Sequence, residues 1–316
     1  MSDRLAEISG RITSVRKLGS VMGAMRGMAA ARVRQAEGEV AAVDSYARTI
    51  QNALSQVLSF GAGTSGVTGR EPADILVVFL AEQGFAGVFS EHLLDRLADD
   101  PATQPGGADA PRLCLVGTRG ASIAAERGMS PWVFRPMPTH GAAVPRFADE
   151  LTQTVLAACL NPAIGAKVGG LEPGPNRATS APRIDALFTR LQPGGAPTLE
   201  LVRLFPALPV PGAAPISPPL LNLTRENLLQ DLLAEALYAG LCRAALHAIA
   251  AENNARMLAM AAAQSQTERT LEGLVALERR VRQETITSEI IELAAGEAAF
   301  HSHTRRRPPD ANPAAE

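Results

Sequence analysis

Cysteines, aromatic rings and excess charge are all scarce in this 316-residue sequence. Its three cysteines, Cys114, Cys159 and Cys242, form neither a CxxC pair nor a dense framework, which is typical of reduced thiols in a cytoplasmic protein. Aromatic residues make up 4% of the chain and the net charge is −2, so the surface offers little for stacking bases or attracting polyanions. We therefore expect no nucleic-acid partner.

Long hydrophobic runs are also missing. Residues 1–10 are too polar for a secretory signal peptide, and the longest strongly apolar run, residues 75–81, is too short to cross a bilayer. The sequence therefore predicts a soluble chain, which does not prevent it from working beside a membrane.

Proline is absent from long stretches at both ends of the chain. All 23 prolines lie between Pro72 and Pro219 or from Pro308 onward. Because proline disrupts helix interiors, its placement predicts two long terminal helices on either side of a mixed domain. The predicted division is an N-terminal coiled-coil helix over residues 1–58, a linker over 59–71, a central α/β domain over 72–219, a C-terminal coiled-coil helix over 220–300 and a disordered tail over 301–316.

The first of these helices carries a sustained heptad of apolar residues. Two core positions recur with three-four spacing along almost the whole helix, interrupted at Gly19 and Arg26, which predicts a left-handed coiled coil with the C-terminal helix. A helix lying along a globular core, the alternative, would need a much shorter apolar stripe. The core positions are Ile8, Ile12, Val15, Met22, Ala29, Val33, Ala36, Val40, Val43, Ala47, Ile50, Leu54 and Val57.

Glycines and basic residues mark the same helix. Gly19, Gly23 and Gly27 each cost about 1 kcal/mol relative to alanine, so they predict close backbone approach or local bending. No acidic residue lies between Glu7 and Glu37, which indicates an acidic partner surface or, alternatively, a solvated face. The basic residues there are Arg11, Arg16, Lys17, Arg26, Arg32 and Arg34.

The central domain alternates short β-rich apolar runs with helical stretches, and this alternation predicts an α/β sheet of Rossmann-like outline. Loop-rich segments over residues 161–182 and 192–219 separate its later elements. The predicted strands cover residues 74–81, 112–117, 183–191 and 200–205, and the predicted helices cover residues 90–98, 118–127 and 147–160.

No set of residues in this domain predicts chemistry. Residues 82–87 (EQGFAG), after the first strand, fit neither a GxGxxG dinucleotide fingerprint nor a phosphate loop, and residues 117–120 (GTRG) fit a tight turn better than a phosphate site. His92 and His140 have no metal-binding spacing, and no nucleophile–base set or carboxylate pair stands out. We therefore predict a scaffold that has no active site and binds no cofactor, metal or small-molecule substrate.

Several motifs resemble the γ subunit of F-type rotary ATPases. Residues 251–260 (AENNARMLAM) are similar to that family's SEHxARMxAM, and residues 282–292 (RQETITSEIIE) are similar to its RQxxITxEIxEI. Near the N-terminus, residues 11–15 and 24–34 follow its RIxSV and KAMxMVAAxKxRxAQ patterns, and residues 83–89 resemble a diverged form of its SDRGLCGxxN turn. The resemblance covers nearly the whole chain.

The resemblance implies the rotor shaft of an ATP synthase, a non-catalytic subunit on the cytoplasmic face of a bacterial inner membrane. Its terminal helices would wind into an antiparallel coiled coil inside a hexamer of α and β subunits. Its α/β domain would sit on the membrane rotor ring of c subunits and on the ε subunit. The implied partner contacts are the basic residues Arg11, Arg16, Lys17, Arg26, Arg32 and Arg34, together with Arg256, Arg282, Gln283, Thr285 and Glu289.

The sequence also departs from the family pattern. Gly23 stands where the family has a lysine before its Ala-Met pair, and residues 251–253 read AEN in place of SEH. Such divergence is similar to the N-type, sodium-translocating branch. The choice between proton and sodium is left open, because ion selectivity resides in other subunits. A self-associating coiled-coil scaffold and an enzyme with a helical dimerisation arm are the alternative functions.

Overall fold

A computed structural model describes the chain over residues 2–59, 73–100, 110–160, 182–192, 195–206 and 220–304. The chain forms two compact units. One unit combines the N-terminal residues up to Ala24 with the residues from Ala261 onward, and the other runs from Met25 to Met260. Each terminal helix therefore contributes to both units, which differs from the predicted division into terminal helices and a separate central domain. Most of the predicted linker, loops and tail lies outside the described residues.

Two long terminal helices confirm the predicted fold class. Helix α1 spans Ser2–Ser59 and helix α5 spans Arg225–Thr304. Both lack proline and are rich in alanine, leucine, glutamate and arginine, which favour the helix at most positions. Helix α5 ends at Thr304 and so extends into the segment that was predicted to be disordered.

The heptad of α1 is confirmed by burial. Every buried residue among the described side chains of α1 falls on a predicted core position. The buried stretch is interrupted between Ile12 and Ala29, where the glycines lie. The buried residues are Ile8, Ile12, Ala29, Val33, Ala36, Ala47, Leu54 and Val57.

In the first unit the two helices run antiparallel. Ile8 and Ile12 are buried in one cluster with Val281, and further along α1 the Thr267 hydroxyl lies 3.3 Å from the Met22 sulfur. As the numbering rises along α1, the numbers of its partners on α5 therefore fall. In this unit the apolar stripe of α1 is buried against α5 alone, without a sheet.

The second unit is built on a five-stranded sheet. The strand order is β3-β2-β1-β4-β5, with β1, β2, β3 and β4 parallel and β5 antiparallel to β4. The sheet confirms the four predicted strands, and the short β3 was missed because it has only three residues, two of them exposed. The strands are β1 (Ile75–Phe79), β2 (Arg112–Val116), β3 (Val133–Arg135), β4 (Ile184–Arg190) and β5 (Thr198–Phe205).

Three shorter helices connect these strands and confirm the predicted ones within a few residues. Helix α2 spans Phe89–Asp99, α3 spans Thr118–Glu126 and α4 spans Val144–Leu160. Helix α4 begins earlier than predicted because Pro145 lies in its first turn, where proline is tolerated.

The core of the second unit is the contact of the sheet with α5. All five residues of β1 are buried, and between Ala236 and Ala251 most residues of α5 are buried as well. One 18-residue window of this helix is apolar enough to cross a membrane by length and composition, yet 61% of it is buried inside the protein. An all-round apolar helix in that environment is typical of a core helix.

Glycines in α1 do not reflect close packing at every position. A β-carbon added to Gly19 would lie 3.5 Å from the Thr267 methyl group, whereas one added to Gly23 or Gly27 would meet nothing within 4 Å. The predicted close approach is therefore restricted to Gly19 among the described residues. By contrast, a β-carbon on Gly120 of α3 would lie 2.1 Å from the Leu80 side chain.

We expect Gly27→Ala to raise the free energy of unfolding by about 1 kcal/mol, because alanine favours the helix and the added methyl group meets open space. Gly120→Ala is the matched control and should destabilise the chain, since Leu80 cannot move freely in a packed core. Urea unfolding followed by circular dichroism measures both. A destabilising Gly27→Ala would show that this glycine serves a backbone shape that alanine cannot adopt.

Candidate functional site

The six basic residues singled out on α1 all lie at the surface. Arg11, Arg16 and Lys17 belong to the first unit and Arg26, Arg32 and Arg34 to the second, and each is exposed. Within the second unit, Arg32 donates a long hydrogen bond of 3.5 Å to the Gln83 side chain.

A second exposed surface lies near the C-terminal end of α5. Arg282 is 62% exposed and forms an ion pair of 3.2 Å with Glu278 one turn earlier. Gln283 and Glu289 are exposed, and Thr285 is half-buried, with its hydroxyl donating to the Val281 carbonyl. Because Arg282 and Gln283 are adjacent and exposed, both can donate hydrogen bonds to a neighbouring chain.

Large apolar side chains accompany that polar surface. Ile286, Ile290 and Leu293 are 52%, 60% and 75% exposed. Their spacing places them on one face of the helix. Among the described side chains beyond Val281, none on α5 is buried. This stripe has the character of an interface that the chain alone does not cover.

Arg256 has a different environment, against the prediction of a partner contact. Its side chain is 5% exposed and pairs with Glu252 one turn earlier. The guanidinium also donates to the backbone carbonyls of Gln83 and Gly84, at 3.3 and 3.1 Å. A planar guanidinium with its donors used in this way has little left for a partner, so Arg256 belongs to the interior of the second unit.

Glu82 is the first residue of the turn that Arg256 contacts, and its side chain ties this turn to Thr118 and Met137. One carboxylate oxygen accepts from the backbone N–H groups of Thr118 and Met137, at 2.9 and 2.8 Å, and the other accepts from the Thr118 hydroxyl at 2.8 Å. Thr118 is the first residue of α3, where Gly117 provides no side-chain cap. A carboxylate at that position satisfies unpaired N–H groups and the positive end of the helix dipole.

The Glu82 carboxylate therefore occupies the position at which many open α/β sheets bind an anionic ligand. Open α/β sheets bind anionic ligands outside the carboxyl ends of their strands, with the phosphate on a helix N-terminus. Here β1 and β2 end beside that helix, and Gly117 has φ 112° and lies so close to Leu80 that an added β-carbon would be 2.4 Å from its carbonyl oxygen. Gly117 therefore allows close packing against Leu80. The anion at the N-terminus of α3 is the carboxylate of Glu82, a residue of the same chain.

A third polar cluster joins α1 to α5 inside the second unit. The Asp44 carboxylate accepts from Arg243 Nε at 2.8 Å and lies 3.4 Å from His247 Nε2. The imidazole of His247 is 1% exposed and stacks on the Phe188 ring, with centroids 6.0 Å apart. Its Nδ1 is buried and has no hydrogen-bond partner among the described residues.

The buried thiols are unreactive in this structure. Burial raises the pKa of Cys114 to about 12 and that of Cys242 to about 11. Both thiols therefore stay protonated at neutral pH, and the thiolate is the reactive form of cysteine. Among the described residues no group of three or more His, Cys, Asp or Glu side chains is arranged to hold a metal ion.

Sequence reasoning missed the roles of Glu82, Asp44 and His247. Neither Asp44 nor His247 stands in a metal or catalytic spacing, and both are isolated in the sequence. The available signal for His247 was its place in the alanine-rich stretch over residues 244–251 (AALHAIAA), since a polar residue among apolar neighbours is buried only when it is paired.

The comparisons with known proteins agree over nearly the whole length. A family model described as ATP synthase matches residues 4–300. The chain is 27% identical to the ATP synthase gamma chain of Granulibacter bethesdensis, covering 94% of this chain and 99% of the relative. It is 26% identical to the gamma chain of a Parafrankia species, covering 96% and 99%. The chain therefore belongs to the ATP synthase family. Within that family, these relatives are gamma chains.

Solved structures show the same fold. A chain of the Euglena gracilis mitochondrial ATP synthase, in a structure of OSCP, F1 and the c-ring, superposes with a TM-score of 0.66 at 12% identity and covers 99% of both chains. A chain from a structure of the rotor of the same enzyme gives a TM-score of 0.60 at 12% identity, covering 90% of this chain and all of that one.

The buried histidine makes stability depend on pH. Burial lowers the pKa of His247 below its ordinary value of 6.5, and nearby Arg243 and Arg190 lower it further, while Asp44 acts in the opposite direction. The unfolded chain binds the proton at higher pH than the folded chain does. The stability contributed by the neutral imidazole is therefore complete above about pH 6.5 and is lost as the pH falls toward the folded pKa.

We expect His247→Gln to reduce this loss, because glutamine does not titrate. The difference in slope between the two chains should approach about 1.4 kcal/mol per pH unit within that window. Urea unfolding at several values between pH 5 and pH 8 measures it. Parallel pH profiles for the two chains would show that His247 binds its proton equally in the folded and unfolded states.

Proposed function

We propose that this chain is the central-stalk rotor of an F-type ATP synthase. The single observation that carries the proposal is the end of α5, where the RQETITSEIIE motif lies on a helix with no buried side chain among those described beyond Val281. Exposed Ile286, Ile290 and Leu293 follow on that helix. A subunit that turns inside a sleeve needs such a surface to be free of its own chain.

The partners follow from the family. We propose that the hexamer of α and β subunits encloses the helix pair, and that the ε subunit and the membrane ring of c subunits contact the α/β unit. The exposed basic residues of α1 would face acidic loops of β, since charges of opposite sign attract across an interface. The complex would lie at the cytoplasmic face of a bacterial plasma membrane, with this chain as a peripheral subunit.

The proposed role is mechanical and needs no active site in this chain. Each orientation of an asymmetric shaft fits one set of β conformations better than the others, so turning the shaft shifts the populations of those conformations and their nucleotide affinities. Glu82 supports the proposal, because it occupies the position where an α/β sheet would otherwise bind an anionic ligand. The divergence at Gly23 supports membership of the N-type branch.

Co-expression with the α and β subunits of the same source tests the proposal. We expect one complex on size exclusion with a single copy of this chain per three αβ pairs, active in ATP hydrolysis. The exposed isoleucine stripe favours a second candidate, a self-associating scaffold. Elution of the chain apart from α and β, as its own oligomer, would replace the rotor by that scaffold.

Within the assembled complex we expect Arg282→Ala and Gln283→Ala each to weaken coupling. Both side chains would donate hydrogen bonds to the surrounding subunits, and their loss should lower ATP-driven ion transport relative to hydrolysis by roughly 5-fold or more, at the lower end of typical coupling energies. Vesicles containing the complex give both rates. Exposed Arg269 on the same helix provides the control, and Arg269→Ala should leave the ratio unchanged. Normal coupling in both test variants would remove this contact from the mechanism.

A further inference from the structure

Glu252 and Arg256 form an ion pair in a place where an ion pair is costly. They lie one turn apart on α5 and are 3% and 5% exposed. Removing two charges from water costs several kcal/mol per ion, and well-packed apolar residues of similar volume often stabilise a fold as well or better. Stability alone therefore does not explain this pair. The other hydrogen bonds of Glu252 and Arg256 explain why the pair is there.

Those bonds all go to one turn of the α/β sheet. The two carboxylate oxygens of Glu252 accept from the backbone N–H groups of Glu82 and Gln83, at 3.2 and 3.0 Å. Arg256 returns donors to the carbonyls of Gln83 and Gly84. The pair on α5 thus satisfies two donors and two acceptors of the turn, and Arg256 Nη1 is held by Asn253 at 3.0 Å.

The turn is fixed to the sheet by independent contacts. It follows β1, the central strand, and the Glu82 side chain ties it to the first residue of α3 and to Met137. Phe85, the next residue along, has φ 64°, a left-handed conformation that is rare for a bulky side chain. Backbone held in such a conformation persists where its surroundings determine it strongly.

The rest of the contact between α5 and the sheet is mainly apolar. The buried face of α5 carries four alanines, Ala244, Ala245, Ala248 and Ala251, among larger apolar residues such as Leu241 and Ile249. Apolar burial is also non-directional, so it resists separation better than rotation or sliding. Charge-assisted hydrogen bonds with fixed geometry do resist sliding.

We propose that Glu252 and Arg256 are positioning residues that form a rigid joint, through which rotation of the sheet is transmitted to α5. This inference rests on the proposed rotor function. It assigns the pair a mechanical role, in which α5 is bound to the sheet through the turn over residues 82–84, which follows β1. Exposed Phe85 lies beside the joint but makes none of these bonds, so Phe85→Ala should leave the joint intact.

Two variants separate the joint from a stabilising ion pair. Glu252→Leu with Arg256→Met replaces the pair by apolar residues of similar size, which should preserve folding. Glu252→Arg with Arg256→Glu keeps an ion pair of reversed order, but an arginine at position 252 cannot accept from the two backbone N–H groups. If the pair acts only as an ion pair, the exchanged variant keeps its function. If it acts as a joint, the exchanged variant loses that function. Arg146→Met with Glu150→Leu, an exposed pair on α4, is the control.

The first measurement is hydrogen exchange on the whole isolated chain, which does not depend on the rotor function. We expect the amides of Glu82 and Gln83 to be protected in the natural chain and to exchange at least about 10-fold faster in both test variants, the change that corresponds to about 1.4 kcal/mol. The amides of the surrounding α5 turns should be unchanged. Unprotected amides at these two positions in the natural chain would overturn the joint.

The second measurement is coupling in the complex with α, β, ε and the membrane ring, in vesicles. We expect both variants to assemble and hydrolyse ATP while ATP-driven ion transport falls by roughly 5-fold or more relative to hydrolysis. Normal coupling in either assembled variant would overturn the proposal, and so would loss of assembly by both, because the pair would then be structural. If the natural chain fails to join α and β, the rotor function fails instead, and the exchange result still decides whether the joint exists.

Discussion

The structure depends on one requirement, that two very long helices bury an apolar stripe. In proteins most of the stability of a helix comes from packing its apolar face, and only a smaller part comes from intrinsic propensity. Helix α5 has 80 residues and meets the requirement with different partners along its length. In one unit α1 covers it directly, and in the other the sheet and α1 cover it together. The change of partner explains why both helices belong to both units.

Burial on this scale requires polar groups to be paired, and several of these pairs connect one element to another. Asp44 connects α1 to α5 through Arg243, and the Glu252–Arg256 pair connects α5 to the turn after β1. Glu82 connects that turn to α3. The sheet therefore has the arrangement of strands and helix that binds anionic ligands in other α/β proteins. In this chain the helix N-terminus is already paired with the carboxylate of Glu82.

Much of this architecture could be predicted from the sequence because it rests on local rules. Missing proline marks the long helices, three-four spacing marks the face of α1 that is buried, and strand–helix alternation marks the sheet. The motif over residues 251–260 located the important segment of α5 but not the direction of Arg256. Which way a long side chain turns depends on a backbone turn about 170 residues earlier in the chain, and no local pattern encodes that contact. The pairing of Asp44 with His247 was hidden for the same reason.

The exposed stripe at the end of α5 also has a consequence for how the protein is made. Ile286, Ile290 and Leu293 are open to water in the chain alone. A newly synthesised copy without partners therefore exposes an apolar helix surface to chaperones, proteases and other copies of the chain. Synthesis in excess over the subunits that cover this helix would be wasted on degradation or precipitation. The amount of this chain that a cell can keep is thus set by the supply of its neighbours.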